Sequence, residues 1–416
     1  MIGSYSHLIR RKLRGHGSST MAINGGAPVR EFPLIATPYQ YSEQDAGRVA
    51  RVVRTGDLTH DRGDNITGLE REFAQAIGSE FALSTNSGTS ALTMACQSVG
   101  LHNGDEVILP AYTFVASAQA VLASRATPIF ADIDNTFTIN PQSITHLITK
   151  KTRAIMVVHM FGNVADMDKI MRIARAHNLA VIEDCAQAVG ARYNGRDVGT
   201  FGDIGCYSFN IKKAIPTGQG GMFVTSNSQY YRRAMAIRNT GIEVTDGHVD
   251  VVSLGGTYFM TEMEAVLARS VLRQLTGLNA LRRKNYEYLM GLIEPISDTL
   301  TPYRILSHAE PSYSRLSFLL HLPRLQCTRE QFIAAVVAEG APLKTFYPMP
   351  LYCYSLFQNM NGRTYVRQSF AEQFYMRHVG MEFSPYWSFS DMRDIATIVT
   401  NVIRHYLKSS HKERRQ

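Results

Sequence analysis

The sequence lacks a long apolar run, because no uninterrupted stretch approaches the ~20 residues that a helix needs to span a bilayer. It also has no apolar segment of signal-peptide type near its beginning. Only five of its 416 residues are cysteines, and they are scattered with no Cys-x-x-Cys pair. That pattern argues against a disulfide framework or a structural zinc site and favours a reducing compartment. We therefore predict a cytoplasmic protein with no membrane partner and no metal.

Acidic residues are missing from the first twenty positions, where four basic residues give +4. Residues 408–416 carry a further net +3, so only +1 of the formal net charge of +8 belongs to the rest of the chain. No basic stripe typical of nucleic-acid binders lies between these ends. We predict a basic, disordered tail at 1–20, a basic tail at 408–416 and no nucleic-acid partner. A transit peptide at the beginning, a true start at Met21, and a regulator that uses the tails on DNA all stay open.

Short apolar runs separated by segments of helical periodicity dominate the first two thirds of the chain. Such runs are typical of strands buried on both faces, and their alternation with helices predicts an α/β fold with a mostly parallel, helix-covered sheet. The runs are Phe81–Ser84, Val107–Leu109, Pro128–Ala131, Ala154–Val158 and Ala180–Glu183. After Leu275 long helical patterns alternate with Pro-rich and Tyr-rich segments. We predict a large domain over 21–275, including an N-terminal arm, and a smaller α+β domain over 276–407.

Two pairs of polar residues predict helix starts ahead of the sheet. Ser42 with Asp45, and Thr67 with Glu70, have the spacing of a capping box, in which each side chain bonds the backbone N–H of the other residue. Apolar residues at helical spacing follow each pair.

Two adjacent lysines, Lys212 and Lys213, stand in a turn between two apolar runs. A strongly hydrated amine between buried strands costs stability unless it has a partner or a covalent function. Desolvation or a nearby cation lowers the pKa of such an amine and makes it a nucleophile for a carbonyl carbon, such as the aldehyde of pyridoxal phosphate. A solvated turn is the alternative for both lysines.

Polar residues also follow two of the predicted strands. Asp184 ends one strand, where its carboxylate could keep a pyridine nitrogen protonated or could cap a helix. Gln187 follows three residues later and can reach the same pocket. Ser87, Gly88 and Thr89 precede a predicted helix, where backbone N–H groups form an anion site suited to phosphate, although these residue types are also ordinary caps. Because ligands of such sheets bind at the carboxyl ends of the strands, we predict a site there.

Five segments of the sequence resemble the DegT/DnrJ/EryC1/StrS family of sugar and cyclitol aminotransferases, within fold type I of the pyridoxal-phosphate enzymes. They follow the family's order and spacing: Ser-Gly-Thr-Ser-Ala-Leu (87–92), Pro-Ala-Tyr-Thr-Phe-Val-Ala (110–116), His-Met-Phe-Gly-Asn-Val-Ala-Asp-Met-Asp (159–168), Glu-Asp-Cys-Ala-Gln-Ala (183–188) and Ser-Phe-Asn-Ile-Lys-Lys (208–213). Weaker similarity extends from residue 25 to the C-terminal helix. The resemblance implies a mostly parallel sheet of the seven-stranded type with helices on both faces, and pyridoxal 5'-phosphate as the cofactor.

The resemblance also implies roles for individual residues. Lys213 corresponds to the catalytic lysine that binds the cofactor as a Schiff base, because it stands five residues after Ser208 and seven before Gly220. This lysine would also move a proton as base and then as acid. Asp184 would pair with the pyridine nitrogen, and Gln187 would hydrogen-bond the cofactor's 3-hydroxyl.

Further cofactor contacts are implied in the same way. Phe114 would stack on the cofactor ring, as an aromatic face can. Ser208, with the backbone amides of Gly88 and Thr89, would hold the phosphate. Lys212 would be a bystander.

One segment departs from the family's pattern. Where the family usually has Gly-Tyr-Asn-Tyr-Arg-Met, residues 255–260 carry Thr257 and Phe259 in place of the asparagine and the arginine. In the family that asparagine reaches the phosphate of the neighbouring subunit's cofactor. Whether the dimer contact is made here through Thr257 therefore stays open.

The resemblance implies a homodimeric aminotransferase that moves an amino group from glutamine or glutamate to a keto-sugar or keto-cyclitol, in aminosugar, aminocyclitol or antibiotic biosynthesis. The arm at 25–29 and the segment at 347–352 are similar to cyclitol-type members, but the sequence fixes neither donor nor acceptor. The alternative is dehydration or aromatisation on the same cofactor. Lys213 favours transamination, because the family's sugar dehydratases have histidine at that position.

Overall fold

The computed structural model describes residues 20–36, 39–59, 62–358 and 369–407. Apart from Thr20, the tails predicted at 1–20 and 408–416 lie outside these residues.

Seven strands form the central sheet. They are β1 (Phe81–Thr85), β2 (Glu106–Pro110), β3 (Thr127–Ala131), β4 (Thr152–Val158), β5 (Ala180–Asp184), β8 (Ile204–Ser208) and β9 (Gly221–Thr225). Their order across the sheet is β1-β9-β8-β5-β4-β2-β3. β9 pairs antiparallel with β1 and β8, and all other neighbours are parallel. The prediction of a mostly parallel α/β sheet is confirmed, and each apolar run named above lies in a strand.

Helices cover both faces because alternate residues of each strand enter different cores. In β2, Val107 and Leu109 belong to one buried cluster and Ile108 to the other. The first core also contains residues of α3 (Gly88–Ser98), α4 (Ala116–Ala123) and α7 (Ser228–Arg238). The second contains residues of α2 (Asn65–Ile77), α5 (Pro141–Leu147), α6 (Met167–Ala176) and α8 (Glu262–Leu272), and α1 (Glu43–Thr55) packs on α8. The sheet is thus buried on both sides, which explains its near-continuous apolar strands.

The two predicted capping boxes have different outcomes. At α1 the box is confirmed, because Asp45 N donates to Ser42 Oγ (3.2 Å) and Ser42 N donates to the Asp45 carboxylate (3.0 Å). The box of Thr67 with Glu70 is wrong, because α2 begins at Asn65 and Thr67 lies inside the helix.

A remote carboxylate caps α2 instead. The backbone N–H groups of Asn65 and Ile66 donate to the two carboxylate oxygens of Glu262, at 2.8 and 3.0 Å. Glu262 is fully buried on α8. Glu70 is engaged elsewhere, since its carboxylate accepts a hydrogen bond of 2.6 Å from Arg238. Tertiary contacts thereby replaced the local cap.

The remaining elements form smaller layers. β6 (Arg192–Tyr193) pairs with both β7 (Arg196–Asp197) and β13 (Ala309–Glu310). β10 (Ile242–Thr245) and β11 (His248–Val251) form a separate hairpin. Towards the C-terminus, β12 (Leu300–Pro302), β14 (Arg315–Leu320) and β15 (His378–Glu382) make an antiparallel sheet in that order. The helices of this part are α9 (Leu275–Ile293), α10 (Arg329–Ala338), α11 (Ser355–Gln358), α12 (Phe370–Arg377) and α13 (Phe389–Tyr406). Short 3-10 turns occupy Ala22–Asn24, Met160–Gly162, Glu294–Ile296, Leu322–Arg324 and Leu351–Cys353. Across the described ranges, no helix has both the length and the apolarity that a membrane crossing requires.

The N-terminal arm packs on the C-terminal elements. The carboxylate of Glu339 accepts hydrogen bonds from the backbone N–H groups of Ala22 (2.8 Å) and Val29 (3.0 Å). Arg30 forms an ion pair of 2.9 Å with Asp391. The arm therefore contacts the predicted small domain, and the division at 275/276 stays a prediction.

Candidate active site

The predicted site residues meet at the carboxyl ends of the parallel strands. β5 ends at Asp184 and β8 ends at Ser208, and these strands are neighbours in the sheet. The loop after β1 leads directly into α3 at Gly88, and Ser87 pairs with Gly220 next to the end of β8. The topology thus brings loops that are far apart in sequence to one edge of the sheet.

Asp184 is a buried carboxylate. Its oxygens accept hydrogen bonds from Ser117 Oγ (2.8 Å) and from the backbone N–H of Ala186 (3.1 Å). Burial raises the pKa of Asp184, and these two hydrogen bonds and the positive charge of Lys213 only partly oppose that effect. The residues after Asp184 form a turn, so the carboxylate does not cap a helix. A carboxylate held this way is poised for a cationic partner, which would favour its charged form.

Two buried side chains fix the end of β5. Glu183 accepts hydrogen bonds from the backbone N–H groups of Gly199 (2.8 Å) and Gly202 (2.6 Å). It also bonds His159 Nε2 at 3.0 Å, and His159 Nδ1 accepts from the backbone N–H of Ala165 (3.3 Å). The imidazole therefore carries its proton on Nε2 and donates to Glu183. This network supports the strand residue just before Asp184.

The two adjacent lysines have different surroundings. Lys212 is exposed, and Lys213 is half-buried in a turn closed by a hydrogen bond from Lys213 N to the carbonyl of Asn210 (2.8 Å). Desolvation of the Lys213 amine and then the nearby Arg315 charge lower its pKa from the usual 10.5 to about 8, against the opposing effect of Asp184. A sizeable fraction of this amine is neutral near pH 8, which is the nucleophilic form. The structure therefore limits the solvated-turn alternative to Lys212.

A close backbone approach shapes the predicted phosphate site. A Cβ on Gly88 would lie 2.7 Å from Ser208 Cβ and 3.2 Å from Ser208 Cα, and a Cβ on Gly221 would lie 2.6 Å from the carbonyl carbon of Ser87. Only glycine allows the start of α3 to pack this closely on the ends of β8 and β9. Thr89 is exposed in the first turn of α3, whose first N–H groups have no intrahelical partner. Gly88, Thr89 and Ser208 are thus brought together.

Gln187 and Phe114 line the same region. Gln187 is buried, its Oε1 accepts from Phe161 N (3.2 Å) and Arg315 Nη1 (3.3 Å), and its Nε2 donates to Tyr347 Oη (3.3 Å). Phe114 follows the end of β2, and half of its side chain is exposed (50%). Its ring centroid lies 6.1 Å from that of Tyr347. An exposed aromatic face beside these polar groups is suited to a flat ring as ligand.

Sequence reasoning missed Arg315, Tyr347 and Ser117 as members of this group. Ser117 lies in a helix and Arg315 precedes an apolar strand, so neither has a local signal of function. Tyr347 falls in the Tyr-rich segment that resembles cyclitol-type enzymes. That resemblance was the signal from which a role at the site could have been inferred.

The altered segment at 255–260 is anchored by its backbone. Asn86 N donates to the carbonyl of Tyr258 (2.8 Å), and Asn86 Nδ2 donates to the carbonyl of Thr257 (3.2 Å). The Arg238 guanidinium lies 5.0 Å from the centroid of the Phe259 ring. The side chain of Thr257 is exposed. These contacts attach the segment to the loop before α3 without the usual asparagine and arginine side chains.

The chemistry of this set fits pyridoxal phosphate. It offers an amine with a lowered pKa, a buried carboxylate whose raised pKa calls for a cation, an exposed aromatic ring, and a glycine approach at a helix N-terminus. These are the groups that an aldehyde, a pyridinium, a ring face and a phosphate would each need.

Comparisons with known proteins agree with this architecture. Residues 40–400 match the model of the DegT/DnrJ/EryC1/StrS aminotransferase family. A UDP-N-acetyl-3-dehydro-alpha-D-glucosamine 3-aminotransferase of Acidithiobacillus ferrooxidans is 38% identical over 300 residues, covering 71% of this chain and 77% of its own. An L-glutamine:2-deoxy-scyllo-inosose aminotransferase of Streptomyces kanamyceticus is 36% identical over 296 residues, covering 67% and 69%. The X-ray structure of an aminotransferase from Psychrobacter cryohalolentis superposes with a TM-score of 0.84 at 30% identity, covering 89% of this chain and 99% of that one. The chain belongs to the DegT/DnrJ/EryC1/StrS aminotransferase family.

Proposed function

We propose that the protein binds pyridoxal 5'-phosphate and transfers an amino group from glutamine or glutamate to a keto-cyclitol or keto-sugar. The observation that carries the proposal is the position of Lys213 in the turn between β8 and β9, at the edge of the sheet where β5 ends in the buried Asp184. Desolvation and the charge of Arg315 lower the pKa of the Lys213 amine to about 8. The names of the relatives support the substrate classes, since one uses glutamine with a scyllo-inosose and another acts on a UDP-linked keto-sugar.

Each residue of the site has a defined task in this proposal. When bound, pyridoxal phosphate supplies the sink for the electrons that remain when the donor Cα–H bond breaks. Asp184 would keep the ring nitrogen protonated, and the Lys213 amine would hold the cofactor covalently. Lys213 Nζ would also accept the proton from the donor Cα and return a proton in the reverse half-reaction. Gly88, Thr89 and Ser208 would hold the phosphate, while Phe114 and Gln187 would contact the ring and its 3-hydroxyl.

We also propose that the active unit is a homodimer. The β10–β11 hairpin exposes Val244 (64%), Val249 (69%) and Val251 (67%), and a two-stranded hairpin is marginally stable by itself. The hairpin leads into the segment at 255–260, which Asn86 attaches to the loop before α3. A second copy covering this apolar hairpin would bury the same patch twice around a two-fold axis.

Incubation with glutamine and a panel of nucleotide-linked ketosugars and free ketocyclitols tests the function. We expect mass spectrometry to find an aminated product and the 2-oxo acid of the donor. Borohydride should label a peptide through Lys213 in the wild type and in Lys212→Ala, and should leave Lys213→Ala unlabelled. Loss of water from the acceptor without amination would favour the dehydratase alternative. A protein that takes up no label and forms no product would overturn the proposal, and a salt-sensitive shift of DNA would then favour the regulator.

A further inference from the structure

Arg315 is brought to the site by the segment just before β14. Ser312 N donates to the carbonyl of Gly162 (2.9 Å), and Ser312 Oγ donates to the carbonyl of Gln187 (3.3 Å). A Cβ on Gly162, whose φ is +86°, would lie 2.6 Å from Ser312 Oγ, so this docking requires glycine. The segment after the β4 strand and the start of β14 are thereby held together, with Arg315 at the strand's first position.

The guanidinium of Arg315 rests on an aromatic platform. It lies 4.4 Å from the centroid of the Phe346 ring, and Arg315 Nη1 donates to Gln187 Oε1 (3.3 Å). The ring is accommodated because Gly380 has no side chain, since a Cβ there would lie 2.7 Å from Phe346 Cε2. Stacking on Phe346 holds the guanidinium flat and leaves donors of its fork for another group.

The positive charge of Arg315 is not paired within the described part of the chain. Glu382 stands directly opposite Arg315 in the β14–β15 ladder, but its carboxylate binds Lys344 Nζ at 2.9 Å. No other carboxylate of the described residues lies within ion-pair distance of Arg315. Lys344 therefore occupies the carboxylate opposite Arg315 in the ladder, and the guanidinium bonds Gln187 instead.

We propose that Arg315 binds the α-carboxylate of the amino donor and of the 2-oxo acid formed from it. This inference rests on the proposed function, in which the donor is the substrate that must carry a carboxylate next to the reacting Cα. A planar guanidinium matches a carboxylate with two parallel hydrogen bonds. Arg315 Nη1 donates to Gln187, which lies three residues after the strand end at Asp184, and the Arg315 charge acts on the Lys213 amine. A carboxylate held by Arg315 would therefore lie at the same edge of the sheet as Lys213.

An alternative role is that Arg315 only orients the amide of Gln187. Two unreactive probes separate the roles: glutaramate, which is glutamine without its α-amine, and glutaramide, in which an amide replaces the carboxylate. We would measure both dissociation constants by calorimetry on the cofactor-loaded protein. The wild type should prefer glutaramate by on the order of 10- to 100-fold, the range expected for charge-assisted hydrogen bonds.

Variants then test whether Arg315 causes the preference for glutaramate. Arg315→Gln should bind the two probes equally, and Arg315→Lys should keep part of the preference because it keeps the charge without the fork. Arg283→Gln is the control, since it removes one positive charge from a surface pair with Glu310. In turnover, Arg315→Gln should raise KM for glutamine and leave KM for the acceptor unchanged.

Failure of the carboxylate role and failure of the proposed function give different results. If the wild type transaminates but Arg315→Gln keeps the preference for glutaramate, or weakens both probes equally, the carboxylate role is overturned and the proposed function stands. If the wild type neither takes up borohydride label at Lys213 nor forms an aminated product, the proposed function fails, and this inference fails with it.

Discussion

Replacing Gly88 by alanine tests the close packing at the start of α3. The new Cβ would lie 2.7 Å from Ser208 Cβ and 3.2 Å from Ser208 Cα, and the second of these atoms belongs to the backbone. Such contacts cannot be relieved by rotating a flexible side chain. We therefore expect α3 and the end of β8 to move apart.

Two opposing effects set the magnitude. Alanine in place of glycine within a helix stabilises by about 1 kcal/mol, whereas overpacking a buried contact costs typically ~1–3 kcal/mol. The clash should equal or exceed the gain, so the free energy of unfolding should fall by roughly 0–2 kcal/mol. Gly277→Ala is the matched control, because Gly277 lies in α9 with no atom within 4 Å of an added Cβ. It should stabilise by about 0.5–1 kcal/mol.

The assay is denaturant unfolding of the cofactor-free proteins, together with the dissociation constant of pyridoxal phosphate from absorbance titration. Separating the Gly88 amide from Ser208 should weaken cofactor binding by about 10- to 100-fold, the loss expected for an unmet charge-assisted hydrogen bond. Stabilisation of Gly88→Ala as large as that of Gly277→Ala, with unchanged cofactor affinity, would refute the reasoning.

Three further predictions concern charge and assembly. Because the folded-state pKa of Lys213 is lowered from 10.5 to about 8, its protonation destabilises the fold fully below pH 8 and not at all above pH 10.5. Lys213→Met should therefore stabilise the cofactor-free protein at pH 7 and progressively less as the pH rises, and an equal effect in denaturation at pH 7 and 10.5 would contradict this. Asp184→Asn should keep the fold and bind cofactor yet lose most turnover, whereas near-normal activity would mean that the carboxylate only shapes its turn. Val249→Asp in the exposed hairpin should shift sedimentation towards the monomer, while Val53→Asp on the exposed face of α1 should not.

Apolar runs and capping residues in the sequence predicted those parts of the fold that depend on neighbouring residues. The five apolar runs became strands because a strand covered on both faces has few positions for polar residues. The Ser42 capping box formed because its two residues stand three positions apart at the observed start of the helix. The Thr67 box failed because Glu262, almost 200 residues away, offers two carboxylate oxygens to the same helix end. The antiparallel direction of β9 also left no mark in the sequence, since its residues are as apolar as those of its neighbours.

The residues of the site also divide into those with a local signal in the sequence and those without one. The places of Asp184 and Ser208 could be predicted because each ends an apolar run, and that of Lys213 because it stands in the turn between two such runs. Arg315 and Tyr347 come from the C-terminal part and reach the site only through packing, such as the docking of residues 312–314. A lone arginine ahead of an apolar strand is indistinguishable in sequence from an ordinary surface charge.

The role proposed for Arg315 would link donor binding to the basicity of Lys213. In the absence of a donor, the guanidinium charge helps to lower the pKa of the Lys213 amine, which keeps a nucleophilic fraction at neutral pH. A carboxylate bound to Arg315 would cancel much of that charge and let the pKa of the amine rise. In the proposed function, Lys213 acts as a nucleophile before the donor arrives and as a base for the Cα proton afterwards. One arginine whose charge is neutralised by the donor itself would serve both requirements, because the amine becomes a stronger base at the moment when its substrate is in place.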